Sequence, residues 1–324
     1  MQPWDLLHAP LEGNVLSDRD VSIALTFTQL TCFLAVAREG SVSAAAERLF
    51  VTQPSVSAAV SSLSREVGIA LTERVGRGVR LTPAGEAFRP YAAQMLGLVE
   101  ESKQAAREAA DRSLRRLRIV AVATAGEYLI PSLLRAFVPQ HPEIQLQLEV
   151  ANRATLFERL LDHEADVGIA GRPLGDERIE GHAFMKNEIV LIVASGDPLA
   201  RAHSVDVGQL ADRTWLLREE GSGTRQLVLD FLAAHDLRPA TMTLGSNGAI
   251  KQAVQLGLGI SFQSKVAVES ELAVGSLEQI ALRRGLPQRK WFALRQASVA
   301  QREPVRLFLD FLHEHAGPST PTKT

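Results

Sequence analysis

The chain has 324 residues, of which 46% are hydrophobic and 22% are charged, and its formal net charge is −2. This length predicts two or three domains. The near-neutral charge excludes attraction of nucleic acid by bulk charge, so any DNA contact requires a local site. No apolar run reaches the roughly 18 residues of a membrane-spanning helix, which excludes a membrane protein of that kind.

The single cysteine, Cys32, cannot form an intramolecular disulfide and lies among apolar residues. We interpret it as a small buried core residue rather than a reactive thiol. Residues 1–24 lack the basic and apolar segments of a signal peptide, which together with the one cysteine predicts a cytoplasmic protein. These residues show no periodicity and are interpreted as a mobile extension, or as the result of a start codon assigned too early. The tail 317–324 is expected to be disordered.

Residues 25–82 show a pattern of short helices followed by two short strands. Gly40 is expected to end the first helix, and Ser43 to cap the second. Thr52 is the expected N-cap of a third helix, because Pro54 is tolerated in a first helical turn. Apolar residues recur there every three or four positions and predict one buried face, formed by Val56, Val60, Leu63 and Val67.

The opposite face of this third helix is small and polar, so its backbone can approach a DNA major groove. The two strands, joined by a glycine-containing turn, predict a wing whose arginines meet phosphates or a minor groove. The candidate DNA-binding residues are Ser43, Thr52, Gln53, Pro54, Ser55, Ser57, Ala58, Ser61, Ser62, Arg65, Arg74, Arg77 and Arg80. Without regard to residue order, these features also fit a generic small helical domain.

The order of residues 27–86 resembles the DNA-binding domain of LysR-type transcriptional regulators. The matches include Gly40 and Ser41, the Thr-Gln-Pro-Ser-Val-Ser run 52–57 and the Leu-Thr-Pro-Ala-Gly run 81–85. The resemblance implies a winged helix-turn-helix that binds double-stranded DNA. The sequence departs from the family at Ala58, Ser64 and Thr72, where a basic residue, Glu and Phe are usual. The third helix, which corresponds to the recognition helix of this family, therefore carries less charge. More of the affinity for DNA is expected from the wing.

Residues 83–114 predict one long, uninterrupted helix. Its apolar residues recur at spacings close to a heptad, at Phe88, Ala92, Met95, Val99, Ala106 and Ala109. The resemblance implies a linker helix that pairs with its twin in a homodimer, which binds an inverted-repeat operator, and it favours a homotetramer. The alternative is a helix that packs only on its own chain.

From residue 115 to residue 316, β-branched strands alternate with helices, which predicts a parallel α/β sheet. This part resembles the LysR effector domain and implies a two-lobed, periplasmic-binding-protein-like fold. The predicted fold class is thus α + α/β. The segments EEGSGTR and SNGAIKQAVQLGLGISF resemble the carbon-fixation and sulfur-assimilation regulators. Members of that branch respond to phosphorylated metabolites, nicotinamide cofactors or sulfur compounds.

In open α/β sheets, ligands bind beyond the carboxyl ends of strands, where helices begin. Three such places stand out: a Thr-Ala-Gly turn, the Gly-Ser-Gly-Thr-Arg turn, and the start of the helix 248–256. The candidate effector-binding residues are Thr124, Ala125, Gly126, Asn152, Gly171, Arg172, Glu220, Ser222, Gly223, Thr224, Arg225, Ser246 and Asn247. Their backbone and hydroxyl donors predict a small anionic effector, such as a carboxylate, sulfate or phosphate. For Thr124 or Ser246 taken alone, a simple helix cap is favoured.

Two other classes of protein are alternatives to a regulator. Eight scattered histidines show no metal-ligand spacing, and the Gly-Leu-Gly run 257–259 lacks the rest of a dinucleotide fingerprint. An enzyme is therefore the minor alternative. A free-standing solute-binding protein explains only the second half of the chain. The sequence predicts a transcription regulator without catalytic activity, required cofactor, metal or membrane partner, and RNA polymerase is a further candidate partner.

Overall fold

In a computed structural model of the chain, the described residues are 25–76, 78–171, 175–283, 285–297 and 301–315. The predicted N-terminal extension, the predicted tail and the candidate residues Arg77 and Arg172 lie outside them. The chain divides into two compact units, Met1–Ala92 and Ala93–Thr324.

The first unit is a winged helix-turn-helix. Its elements are α1 (Phe27–Glu39), α2 (Val42–Leu49), α3 (Gln53–Val67), the antiparallel strands β1 (Thr72–Val75) and β2 (Gly78–Leu81), and the start of α4 (Pro83–Ala110). Gly40 ends α1 in the left-handed conformation with φ +63°, as predicted. Cys32 is buried, which confirms its interpretation as a core residue.

The caps of the helix-turn-helix correct one prediction and confirm another. Ser41, and not Ser43, caps α2: its hydroxyl accepts a hydrogen bond from the Ala44 amide, while Ser43 is exposed in the first turn. The reason is that the chain turns at Gly40 and is extended at Ser41, so the helix begins two residues earlier than predicted. Thr52 caps α3 as predicted, and Gln53 is already helical.

The apolar sides of these helices form a small core. Val56, Val60 and Leu63 are buried, while the fourth predicted residue of this face, Val67, is only half-buried. The wing is attached to α1, since the Val79 amide donates to the Gly40 carbonyl at 2.9 Å.

The helix α4 continues without interruption through Pro90, which has no amide hydrogen for a helical hydrogen bond. It ends at Ala110, earlier than the predicted residue 114. Asp111 then caps a short 3₁₀ turn, Arg112–Leu114. The Asp111 side chain accepts a hydrogen bond from the Ser113 amide, and this cap competes with a further α-helical turn. Two residues of the predicted heptad pattern pack within the first unit. Ala92 is buried, and the Phe88 ring lies 5.6 Å from that of Phe33.

The second unit has two lobes. Its strands are β3 (Arg116–Val122), β4 (Gln145–Ala151), β5 (Val167–Ala170), β6 (Ile179–Asn187), β7 (Ile189–Ala194), β8 (Trp215–Leu217), β9 (Thr241–Thr243), β10 (Ser261–Ser264), β11 (Leu277–Ile280) and β12 (Arg289–Gln296). Its helices after α4 are α5 (Ile130–Phe137), α6 (Arg153–Leu161), α7 (Gly223–Ala234), α8 (Asn247–Gln255), α9 (Glu269–Ala273) and α10 (Glu303–His315).

The first lobe is built on a five-stranded sheet of order β4-β3-β5-β12-β6. The strand β3 is parallel to β4 and β5, but β12 is antiparallel to β5 and β6. The second lobe holds the antiparallel sheet β10-β7-β11 and the parallel pair β8-β9. The prediction of a parallel sheet is therefore wrong for β6, β7 and β10 to β12, which pair antiparallel. Their partners are distant in the sequence, and a local residue pattern does not indicate in which direction such strands pair.

Each lobe has its own apolar core. In the first lobe, Phe137 packs edge-on against Phe308 and Phe311 of α10, with both ring centroids 5.2 Å away. In the second lobe, Trp215 and Phe262 are fully buried with their centroids 5.2 Å apart. Each lobe is therefore stabilised by an apolar core of its own.

Candidate functional site

A cleft of about 240 Å³ lies between the two lobes of the second unit. It is formed where β3, β4, β5 and β8 end and where α6, α7 and α8 begin. Seven of the predicted effector-binding residues line it: Thr124, Asn152, Gly171, Ser222, Gly223, Thr224 and Ser246. The structure thus brings together residues from all three of the predicted places.

Other predicted residues lie elsewhere. No Thr-Ala-Gly turn exists, because Thr124 is helical with φ −61° and leads into a π-helical segment, Ala125–Leu129. Ala125 and Gly126 are buried, and a Cβ on Gly126 would lie 2.6 Å from Cγ2 of Val150. Gly126 therefore allows close packing against β4. Glu220 and Arg225 line a neighbouring groove instead of the cleft.

Three side chains of the cleft cap the helices that begin there. The Asn152 Oδ1 accepts from the Thr155 amide at 2.9 Å, the Ser222 hydroxyl from the Thr224 amide at 3.3 Å and the Ser246 hydroxyl from the Ala249 amide at 3.1 Å. The alternative interpretation of Ser246, as a simple helix cap, is therefore correct. Thr124 makes no cap hydrogen bond.

A buried polar network joins the lobes at one side of the cleft. Arg218 is 4% exposed, and its Nε and Nη2 each donate to Glu219 at 2.7 Å. Its Nη1 donates to Oδ1 of Asn247 on α8, and Nδ2 of Asn247 donates to Oγ1 of Thr124 at 3.3 Å. Asn247 is thus part of the bridge between the lobes, and Glu219 balances the charge of Arg218.

A second arginine of the cleft, Arg289, has no such balance. Its guanidinium lies between Gly171, after β5, and Gly223, at the start of α7. A Cβ on Gly171 would collide with it, and one on Gly223 would lie 2.9 Å from Nη2. Burial and the nearby charge of Arg153 lower the pKa of Arg289. Among the residues that the structure describes, no carboxylate pairs with Arg289.

Sequence reasoning missed Arg218 and Arg289. The expectation placed ligand contacts after the carboxyl ends of strands, but β12 is antiparallel to β5, and Phe292 lies opposite Ala170. The first residue of β12 therefore reaches the same edge as the last residue of β5. No spacing in the sequence signals this arrangement. Arg218 directly follows β8, and that position is the one signal available for it.

The predicted DNA-binding face of α3 is open. Gln53, Pro54, Ser55, Ser57, Ala58, Ser61 and Arg65 are exposed, and Ser62 is half-buried. On the wing, Arg80 donates to Glu73 at 2.7 Å. Arg74 is exposed, and within the described part of the chain it has no ion-pair partner.

Neither a metal cluster nor a membrane span is found in the described residues. They contain no group of three or more side chains suited to hold a metal ion. No helix among them is long and apolar enough to cross a membrane.

A winged helix-turn-helix with an open recognition helix, joined to a two-lobed domain with a polar cleft, defines a DNA-binding regulator with a ligand-sensing domain. Residues 27–86 match the family model of the bacterial regulatory helix-turn-helix proteins of the lysR family, and residues 110–317 match the LysR substrate binding domain. The chain belongs to the LysR family of transcription regulators. The predicted family and fold class are thereby confirmed.

Relatives place the chain near carbon-fixation regulators, as predicted. It is 33% identical over 292 residues to the transcriptional activator CmpR of Synechocystis sp., covering 90% of this chain and 95% of CmpR. It is 34% identical over 303 residues to a RuBisCO operon transcriptional regulator of Acidithiobacillus ferrooxidans, covering 91% and 97%. The Synechocystis CcmR regulatory domain, solved in complex with 2-PG, matches with a TM-score of 0.59 and 32% identity, covering 62% of this chain and 97% of that domain.

Proposed function

We propose that a small anion, a phosphorylated carboxylate or a compound of similar charge, binds in the cleft between the lobes and controls the DNA-binding activity of this regulator. The observation that carries this proposal is Arg289. Its guanidinium projects between two glycines into the cleft, and in the described residues no carboxylate neutralises it. An unpaired, partly buried cation gains most of its missing stabilisation when an anion accepts its hydrogen bonds.

The rest of the cleft suits the same ligand. The amino end of α7 carries the partial positive charge of the helix dipole, and the hydroxyls of Ser222 and Thr224 lie in its first turn. The relative domain of CcmR was solved with 2-PG, that is 2-phosphoglycolate, which carries both a phosphate and a carboxylate. A cleft of about 240 Å³ suits a compound of that small size.

Calorimetric titration of the full-length protein with 2-phosphoglycolate tests this proposal. Arg289→Gln is expected to weaken binding about 30-fold, because a charge-assisted hydrogen bond contributes about 2 kcal/mol. Thr224→Val is expected to abolish the effector response in a DNA-binding assay and to leave DNA binding intact. Arg283→Gln removes one positive charge at an exposed position paired with Asp206 and should change little. Equal affinity in the wild type and Arg289→Gln would refute the role of Arg289.

We further propose DNA contacts for the exposed face of α3 and for the wing, at an inverted-repeat operator. The support is that this face is small, polar and exposed. Contacts are assigned to Ser43, Thr52, Gln53, Pro54, Ser55, Ser57, Ala58, Ser61, Ser62, Arg65, Arg74, Arg77 and Arg80. A gel-shift assay on the intergenic regions beside the gene tests this assignment, and binding equal to that of random DNA would contradict it.

A homodimer, and a tetramer built from it, are proposed to form through α4. Tyr91, Met95 and Leu98 are exposed at spacings of four and three residues, which place them on one helix face. This face keeps Met95 of the predicted pattern but is rotated from it, because Ala92 and Phe88 pack within the chain. Leu98→Glu is expected to yield monomers in sedimentation velocity, whereas Lys103→Glu, on another face, should not. An unchanged oligomer in Leu98→Glu would exclude this face.

We also propose that the protein works in the cytoplasm, has no catalytic activity and requires no cofactor, with RNA polymerase as a partner at the promoter. The support is that its curated relatives are transcription regulators. A pull-down of RNA polymerase on operator DNA, with and without the regulator, tests the partner.

A further inference from the structure

A second and larger groove adjoins the cleft. Its volume is about 1230 Å³. It shares six lining residues with the cleft: Arg153, Gly171, Gly221, Ser222, Gly223 and Arg289. Five cationic side chains line it: Arg153, Lys186, Arg225, Arg289 and Lys290. Among the described residues, the carboxylates that line it are those of Glu220 and Asp230. The groove is therefore basic in a chain whose overall charge is slightly negative.

Two of these cations face each other. Lys186 on β6 is the direct cross-strand partner of Lys290 on β12, and both are exposed. Directly opposed residues of antiparallel strands have their Cβ atoms about 5 Å apart on the same face of the sheet, and like charges there are destabilising. A sheet that places two lysines opposite each other gives up stability unless something neutralises them.

No described part of the chain neutralises the pair. Neither lysine has an ion-pair partner within the described ranges. Asp230, one of the acidic side chains of the groove, accepts a hydrogen bond from Gln226 at 2.7 Å and forms no ion pair with either lysine. Arg225 donates to the Arg218 carbonyl and to the Thr243 hydroxyl, both of which are neutral, so its charge also remains in the groove.

We propose that this groove is a second anion site, separate from the effector cleft, and that it binds a metabolite carrying a polyphosphate chain. Lysine ammonium groups and arginine guanidinium groups both bind phosphate oxygens strongly. Several cations spread over an elongated groove match a chain of linked phosphates better than one compact dianion. The volume exceeds that of the cleft about fivefold, which leaves room for an organic group beyond the phosphates. A concave surface favours a small molecule over an acidic protein segment.

Calorimetric titration of the full-length protein with inorganic tripolyphosphate tests the site. We expect binding with one site per chain, weakened at least tenfold in the double variant Lys186→Gln/Lys290→Gln. The matched control Lys103→Gln/Arg238→Gln removes the same charge from exposed positions outside the groove and should keep the affinity within twofold. Without ligand, the lysine double variant should melt about 1–2 °C higher, because the cross-strand repulsion is gone.

A third variant separates this site from the effector cleft. Thr224→Val alters only the cleft and should leave tripolyphosphate binding unchanged. Loss of binding in Thr224→Val with retention in the lysine variant would overturn the second site and place the anion in the cleft. No binding to the wild type at physiological salt, or equal loss in the charge control, would overturn it as well. If the full-length protein binds tripolyphosphate but does not bind 2-phosphoglycolate, the result supports the groove as an anion site. It then contradicts only the effector proposal.

Discussion

The Nδ1 atom of His163 lies 2.7 Å from Oε2 of Glu101, and this contact joins the second half of α4 to the first lobe. His163 is buried and follows α6 in a left-handed conformation with φ +55°. This conformation is uncommon outside glycine, so the surrounding packing must hold it in place. Gly97, one turn before Glu101, allows α4 to approach the loop of Asp162 and His163 closely.

We therefore predict that Gly97→Ala destabilises the protein by about 1–3 kcal/mol, the usual cost of overpacking. The added Cβ would lie 2.5 Å from Cβ of His163 and 2.6 Å from the Asp162 carbonyl oxygen. In an open helix the same change would stabilise by about 1 kcal/mol, so the sign of the effect is diagnostic. Urea denaturation of the full-length protein measures it, with the exposed Ser102→Ala as the control. A gain in stability would show that α4 does not press on this loop.

A second prediction concerns pH and a carboxylate beneath the same helix. Asp166 is buried against Arg118 and Arg302, and its Oδ1 lies 2.7 Å from the Nη2 of each guanidinium. Burial by itself would raise the pKa of Asp166, but the hydrogen bonds from Arg118 and the charge of Arg302 outweigh it and lower the pKa. A lowered native pKa means that this group stabilises the fold above its unfolded pKa of about 3.9 and that the stabilisation is lost as pH falls through the native value.

We expect Asp166→Asn to cost about 3 kcal/mol at pH 7, because it leaves the buried guanidinium of Arg302 and the half-buried one of Arg118 without this counter-charge. Near pH 2 the difference from the wild type should shrink, since the unfolded wild-type chain then binds a proton that the native carboxyl, with its lowered pKa, resists. Urea midpoints at pH 7, 4 and 2 measure both effects, and the exposed Asp310→Asn serves as the control. A difference that stays constant from pH 7 to 2 would contradict the assigned charge interaction.

The DNA-binding unit was largely predictable, because its signals are local. Gly40 and Thr52 fix the ends of α1 and α3 through backbone conformation and a cap, and both act within a few residues. The effector domain was predictable in class but not in detail. Whether β12 runs with or against β5 depends on contacts between residues more than a hundred positions apart. For this reason Arg289 at the cleft, and the facing pair Lys186 and Lys290, have no signature in the sequence.

A third prediction concerns Phe50, which ends α2. Its φ is +55°, in the left-handed region that costs a bulky residue about 1–2 kcal/mol, and its side chain is 96% exposed. Phe50→Asn is therefore expected to stabilise the winged helix-turn-helix by about 1 kcal/mol, since asparagine tolerates this conformation and no buried surface is lost. Thermal unfolding measures the gain. Val51, one residue further, is 47% exposed and has no positive φ to relieve. Val51→Asn should therefore lower stability instead, and a loss in both variants would rule out strain at Phe50.

The last prediction separates affinity from sequence preference on the DNA side. Arg74 of the wing is exposed and, within the described residues, has no ion-pair partner, so its charge is free to meet a phosphate. Arg74→Ala should weaken binding to operator and random DNA alike and reduce the slope of log affinity against log salt by about 0.9, the contribution of one phosphate contact. Ser57→Ala, on the exposed face of α3, should leave that slope unchanged and alter the preferred bases. Arg238→Ala is the matched control, since it removes the same charge from an exposed position outside the DNA-binding unit and should leave the slope unchanged. Fluorescence anisotropy at several salt concentrations on both DNAs distinguishes these effects, and equal losses of specificity in all three variants would contradict the assigned roles.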